Sequence, residues 1–165
     1  MIRACRPEDA AIIRLLLLTG YRVDDIARSR LADWTGEAVT IRERKTGKVR
    51  SVRITDEVRS TVREIAGYTA PRAGGGWLLP ARRARRDGLR GHLSRCTIWR
   101  IMRRALTSAR LDGYGYTIHS LRRCYAADLF RRTGSLEAVR ADLGHDRTST
   151  TVLYLADYFE RMARG

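Results

Sequence analysis

LGHDRTSTTVLY, residues 143 to 154, packs a helix end, a turn and the start of a second helix into one short run. A short helix is predicted over 135–142, and Leu143-Gly144-His145 follows it directly. A last helix is predicted over about 148–162. His145 and Tyr154 thus stand nine residues apart, across a turn into a helix. A tyrosine can serve as a covalent nucleophile where its surroundings lower the barrier. For any one of seven tyrosines, a place in the core is the commoner use. The rest of the chain has to decide between the two.

Upstream, HSLRR (119–123) puts His119 and Arg122 three apart on a helix predicted over roughly 118–132, so the two share a face. One can shuttle a proton and the other can clamp two oxygens, a pairing suited to phosphate. TGYR (19–22) takes the end of a first helix straight into Arg22, placed to reach a ligand or simply to lie on the surface. RKTGK (44–48) contains both lysines of the chain, Lys45 and Lys48, against thirty-one arginines. An arginine-biased composition alone could leave two lysines there. The chemical alternative is that a lysine ammonium can be tuned to release a proton, whereas a guanidinium stays charged.

The elements between these motifs are predominantly helical. EDAAIIRLLLL (8–18) reads as a buried first helix ended by Thr19-Gly20, and DDIARSRLADW (24–34) as a second helix begun by aspartates. EAVTIRE and VRSVRI flank Lys45-Thr46-Gly47-Lys48 and predict a β-hairpin. TDEVRSTVREIAG (55–67) has a threonine cap and apolar residues at 58, 62 and 65, the spacing of a helix. Residues 67–93 carry Pro71, three consecutive glycines, Pro80 and a run of arginines, a long irregular stretch of the kind that is functional or mobile. Ile98, Ile101, Met102, Ala105 and Ala109 then recur at helical spacing. The expected fold class is α+β, mostly α-helical, with one small antiparallel sheet in a single domain over 1–165.

At 165 residues the chain is long enough for one real core and too short for two ordinary domains. A net charge of +15 says little about fold and much about partners, with a polyphosphate foremost. A basic protein without chemistry would share that charge. Cys5, Cys96 and Cys124 form no CxxC pair, which favours reduced thiols over a disulfide framework. His92 with Cys96 and His119 with Cys124 lack a matching second pair, so no metal is expected. IIRLLLL (12–18) is too short to span a bilayer, and no signal peptide is visible.

Taken in order, Arg22, a hairpin lysine, His-x-x-Arg, Leu-Gly-His and a tyrosine nine residues later make a chain-long pattern. This pattern resembles that of the tyrosine recombinase (phage integrase) family. TGYR looks like its TG-x-R motif, RKTGK like its hairpin lysine, HSLRR like its H-x-L-R box, and LGHDRTSTTVLY like its closing segment. The resemblance covers roughly residues 8–158. It implies Tyr154 as nucleophile, Arg22 and Arg122 on the non-bridging oxygens of a scissile phosphate, Lys45 as general acid, and His119 and His145 assisting. Lys48 is the rival for the acid role, and Lys45 is preferred because it precedes Thr46-Gly47. Asp25 stands where the family more often has Glu, a supporting acid, and Tyr21 where it usually has Leu.

The activity implied is site-specific DNA strand cleavage and rejoining through a 3′-phosphotyrosyl intermediate, without metal or other cofactor. The partner would be double-stranded DNA, with a homotetramer on paired sites and a monomer in its absence. The place would be the cytoplasm, at the nucleoid. Arg82, Arg83, Arg85, Arg86, Arg100, Arg103, Arg104 and Lys48 are the expected backbone contacts. Family members usually carry a helical DNA-binding domain ahead of the catalytic one, and only about twenty residues precede Arg22 here. Two readings stand beside this one: a type IB topoisomerase-like nicking and closing enzyme, and a silent DNA-binding protein of the same fold.

Overall fold

In the computed structural model, residues 5–42, 47, 49–72 and 75–163 are described. Helix α1 (Pro7–Thr19) is the central element, with Ile12, Ile13, Leu15 and Leu16 all buried. Proline at its first position and Glu8 and Asp9 in its first turn suit a helix N-terminus, where free N–H groups and the dipole favour both. Gly20 closes it in the left-handed conformation, φ 56°. A short α2 (Val23–Ala27) follows.

The helix predicted over 24–34 is therefore split. Arg30 turns extended and forms an isolated antiparallel bridge with Trp77, its guanidinium 3.3 Å above the indole ring centre. A separate 3-10 turn, Leu31–Trp34, then buries Trp34. Pairing with a strand-like segment far along the chain outweighs local helix preference here.

Strands β1 (Ala38–Arg42) and β2 (Val49–Arg53) pair antiparallel, with Thr40 opposite Ser51 and Arg42 opposite Val49. Arg42 and Val49 bracket Lys45 in sequence; Lys45 and Lys48 themselves lie outside the described residues. Helix α3 (Asp56–Thr69) starts where the Thr55 hydroxyl accepts the Val58 N–H, and it packs on α1. The long stretch to residue 93 is stitched down at its base. Leu78 N–H bonds Ser29 O at 3.0 Å, Leu93 N–H bonds Leu79 O at 2.7 Å, and Leu78, Leu79 and Leu93 are buried. Its arginine-bearing middle, residues 83–89, is exposed.

Helix α4 (Arg95–Ser108) is capped by Ser94 and buries Ile98, Ile101, Met102, Ala105 and Leu106, the one-sided spacing of an amphipathic helix. Helices α5 (Ile118–Thr133), α6 (Leu136–Leu143) and α7 (Thr148–Ala163) complete the chain. They enclose a second, smaller cluster of Tyr125, Ala126, Val139, Leu143 and Leu155. Each fully buried Leu or Ile contributes about 1.5–3 kcal/mol of transfer free energy, so α1 and α4 anchor the larger core. The two clusters meet where the end of α1 faces α5 and the α6–α7 turn.

Candidate active site

The α1–α2 turn is built to present Arg22. A side chain at Gly20 would place its Cβ 2.3 Å from Tyr125 Cδ1, inside the ring, so α1 can approach α5 this closely only with glycine there. Tyr21 then turns inward, 2% exposed, and its hydroxyl shares one proton between Val39 O at 3.0 Å and Arg50 O at 2.9 Å. With Tyr21 held on the hairpin, Arg22 is extended and half-buried at the start of α2, facing the other way.

Helix α5 supplies His119 and Arg122. Arg122 is buried, and its two terminal nitrogens donate to Gly20 O and Leu143 O, each at 2.6 Å. A guanidinium has five N–H donors, and these bonds use two of them to draw the α1 and α6 ends together. Gly144 continues from Leu143 in the left-handed region, φ 65°, and delivers His145. That ring is buried, with Nδ1 3.1 Å from the Thr151 hydroxyl in the first turn of α7. Tyr154, one turn further on, stands edge-on to it.

Arg22, His119, Arg122, His145 and Tyr154 line one cavity of about 580 Å³, with Asp25 in its wall. Asp25 also lines a second hollow beside Thr40, Ile41 and Arg42, so it stands between the cavity and the hairpin. His119 keeps an exposed edge. Loss of hydration on the part set into the wall lowers its pKa below the ordinary histidine value, and the nearby charges of Arg95, Arg122, Arg22 and Arg123 lower it further. Every neighbour that perturbs it is cationic. Cationic charge converges on this part of the cavity.

Arg95 and Thr150 also line this cavity, and sequence reasoning passed over both. Arg95 is one of thirty-one arginines, and only its place just after the Ser94 cap marks it as a helix start. Of the arginines expected to touch a backbone, Arg83, Arg85, Arg86, Arg100 and Arg103 are exposed. Arg104 is exposed as well and Arg82 is half-buried, but these two have a partner within the fold. Both grip Asp9 of α1, at 2.6 Å and 2.9 Å, and the Asp9 side chain is only 4% exposed. Among the described residues no group of three His, Cys, Asp or Glu side chains could hold a metal ion, and no helix is long and apolar enough to cross a membrane.

A mostly helical domain with a two-stranded sheet, in which two arginines, two histidines and a tyrosine meet at the junction of three helix ends, defines the class. The chain belongs to the Phage integrase family, whose match covers residues 1–161. It is 30% identical over 148 residues to the tyrosine recombinase XerA of Pyrococcus furiosus, covering 88% of this chain and 49% of that protein. It is 27% identical to the tyrosine recombinase XerD of Haemophilus influenzae, covering 94% of this chain and 52% of the relative. The chain thus spans about half the length of the curated relatives it matches. In fold it is similar to the crystal structure of XerA recombinase, with TM-score 0.71 at 22% identity over 93% of this chain and 55% of that one. It is also similar to XerH site-specific recombinase bound to difH substrate, with TM-score 0.71 at 21% identity over 90% and 43%.

Proposed function

We propose that this chain is the catalytic domain of a tyrosine-type site-specific recombinase, cutting and rejoining double-stranded DNA. The observation that carries the reading is that Arg22, His119, Arg122, His145 and Tyr154, scattered over the sequence, line a single cavity. The Tyr154 oxygen attacks a backbone phosphorus, the bond to the 5′ oxygen of the next nucleotide breaks, and a 3′-phosphotyrosyl ester remains. A 5′-hydroxyl from a partner strand reverses the step. One phosphodiester replaces an equivalent one, so the exchange needs no external energy source.

Arg22 and Arg122 place permanent charge where negative charge builds on the non-bridging oxygens, and one such donor is typically worth about 10²–10³-fold in rate. His119 and His145 donate hydrogen bonds and handle protons. Lys45 protonates the departing 5′ oxygen, a contribution on the order of 10²–10⁴-fold for a positioned general acid. Asp25 supports the wall behind Arg22. Arg83, Arg85, Arg86, Arg100, Arg103 and Lys48 contact the flanking backbone. Recombination proceeds between paired sites in an assembly of four chains, in the compartment that holds the DNA.

The test is a pool of nicked duplexes of randomised sequence, from which DNA covalently attached to the protein is recovered and sequenced. The expected product is an adduct through Tyr154 on the 3′ side of the break, located by peptide mass spectrometry. Relaxation of a plasmid without exchange between two recovered sites would favour the topoisomerase-like reading, and DNA binding without any adduct would favour the silent one.

A further inference from the structure

We propose that Arg50 of β2 is a positioning residue of this site, a buried guanidinium that holds the turn bearing Arg22 against the turn bearing His145. The inference rests on the DNA-cleaving function proposed above. Arg50 is 5% exposed. Its Nη2 donates to Thr19 O at 2.8 Å and to the Asp142 carboxylate at 2.8 Å, and its Nε donates to Asp142 O. Arg122 makes the matching pair of bonds one residue further along each helix end, to Gly20 O and Leu143 O. Two arginines therefore bridge the same two helix ends at consecutive positions. Arg122 lines the cavity, whereas Arg50 is not among its lining residues.

The chemistry of the spot explains why the cation is stable and why it is an arginine. The C-terminal ends of α1 and α6 both point at it, and carbonyls at helix C-termini carry the negative end of the dipole. The Asp142 carboxylate neutralises it and also accepts the Tyr125 hydroxyl at 2.8 Å. The guanidinium carbon lies 4.4 Å from the Tyr21 ring centre, a cation–π contact on the residue just before Arg22. Lysine would keep the charge, but a single ammonium on a flexible stem cannot replace a planar fork reaching three fixed oxygens. Arg50 also belongs to the strand after the hairpin turn, and Tyr21 bonds its carbonyl. The hairpin, the Arg22 turn and the His145 turn are joined at this one residue.

The experiment compares wild type, Arg50→Lys, Asp142→Asn and Lys45→Ala on a duplex recovered in the adduct screen, made with an ordinary scissile phosphate and with a 5′-bridging sulfur. Melting temperature and DNA affinity are measured for each, then the single-turnover cleavage rate at saturating DNA for the folded protein. Arg50→Lys is expected to bind within about threefold of wild type and to cleave on the order of 10²-fold more slowly, because a small misplacement of reacting groups costs that much. Sulfur, which leaves without acid help, should restore Lys45→Ala but not Arg50→Lys. Asp142→Asn, which keeps the shape and weakens the grip on Arg50, should show the same pattern to a lesser degree. It carries the comparison alone if Arg50→Lys does not fold. Wild-type cleavage by these variants overturns the inference, as does rescue by sulfur, which would place the effect on the hairpin lysine alone. Absence of an adduct from wild type overturns the proposed function itself.

Discussion

The Tyr154 ring stands edge-on to the His145 imidazole, with ring centres 4.8 Å apart and planes inclined at 64°. His145 is in turn fixed through Nδ1 by Thr151, so the tyrosine is oriented against a ring that cannot swing freely. Tyr158, one helical turn later, is turned toward different neighbours: it packs edge-on to Phe130 at 5.8 Å and Phe159 at 5.7 Å. It shares with Tyr154 a second hollow between α5 and α7, but unlike Tyr154 it is absent from the main cavity. Tyr154→Phe should therefore keep DNA affinity and lose the covalent adduct entirely, while Tyr158→Phe keeps both. A denaturing gel showing an adduct with Tyr154→Phe would move the nucleophile elsewhere.

Gly20 tests the close approach of α1 to α5. Alanine there suffers twice: φ of 56° disfavours any side chain, and its Cβ would meet the Tyr125 ring at 2.3 Å. Tyr125 cannot yield cheaply. It is buried and bonded to Asp142, and burial, followed by that carboxylate's charge and hydrogen bond, pushes its phenol well above the usual tyrosine range, so it stays a donor. Gly20→Ala is expected to destabilise by about 2–4 kcal/mol, lowering Tm by roughly 5–15 °C. A Tm within a degree of wild type would show that the two helices can separate without loss.

Much of this arrangement could be read in the chain because its signals are local. The Thr55 cap, the spacing of Ile98, Ile101, Met102 and Ala105, and Gly144 at the end of α6 each act within a turn or two of themselves. The motifs bearing Arg22, His119, Arg122, His145 and Tyr154 were legible through their order. What escaped was long-range. The break in the 24–34 helix depends on Arg30 pairing with Trp77. VRSVR reads as a strand without saying which face is buried: alternation sets Val49 and Val52 on opposite faces. It is Arg50 that shares the buried face with Val52 while Val49 is 56% exposed, since the partners of Arg50 lie at residues 19 and 142. Arg82 and Arg104 look like their neighbours until Asp9 is brought against them.

That last distinction separates two groups of arginines by experiment. Removing Arg82 leaves a nearly buried Asp9 carboxylate to Arg104 alone, and stranding part of a buried ion pair is destabilising. Arg82→Ala should lower Tm while leaving the salt dependence of DNA binding unchanged. Arg83 and Arg100 line the same open hollow beside the α4 N-terminus as Arg82, but both are exposed and, among the described residues, neither grips a buried carboxylate that its removal would strand. If about six phosphates are neutralised, log K falls with log salt at a slope near −5, and losing two contacts makes it shallower by about 2. The double replacement of Arg83 and Arg100 by Ala should show that change with Tm unaltered. Fluorescence anisotropy over a salt series, beside thermal melts, reads both. A salt slope altered by Arg82→Ala would return that side chain to the DNA-binding set.

His119 supplies the pH test. Its pKa in the folded chain is lowered, first by burial and then by Arg95, Arg122, Arg22 and Arg123 in that order. The unfolded chain takes up a proton on this ring near the ordinary value of about 6.5, at a pH where the folded ring still resists. Stability is therefore lost as pH falls from that value through the folded pKa, and above it His119 contributes no pH dependence. Arg95→Ala removes the largest of the charge effects and leaves burial, so the folded pKa should rise part of the way back, and the acid sensitivity should shrink without vanishing. Arg100→Ala, whose side chain is absent from the cavity lining, should leave the titration where it was. Ring-proton NMR can follow each of the three histidines separately. A bound phosphodiester opposes the same arginine charges, so DNA should raise the His119 pKa in wild type, and by less in Arg95→Ala if Arg95 helps to seat it. A His119 titrating at or above the ordinary value in the free protein, or failing to respond to Arg95→Ala, would separate the two side chains and remove Arg95 from the electrostatics of the site.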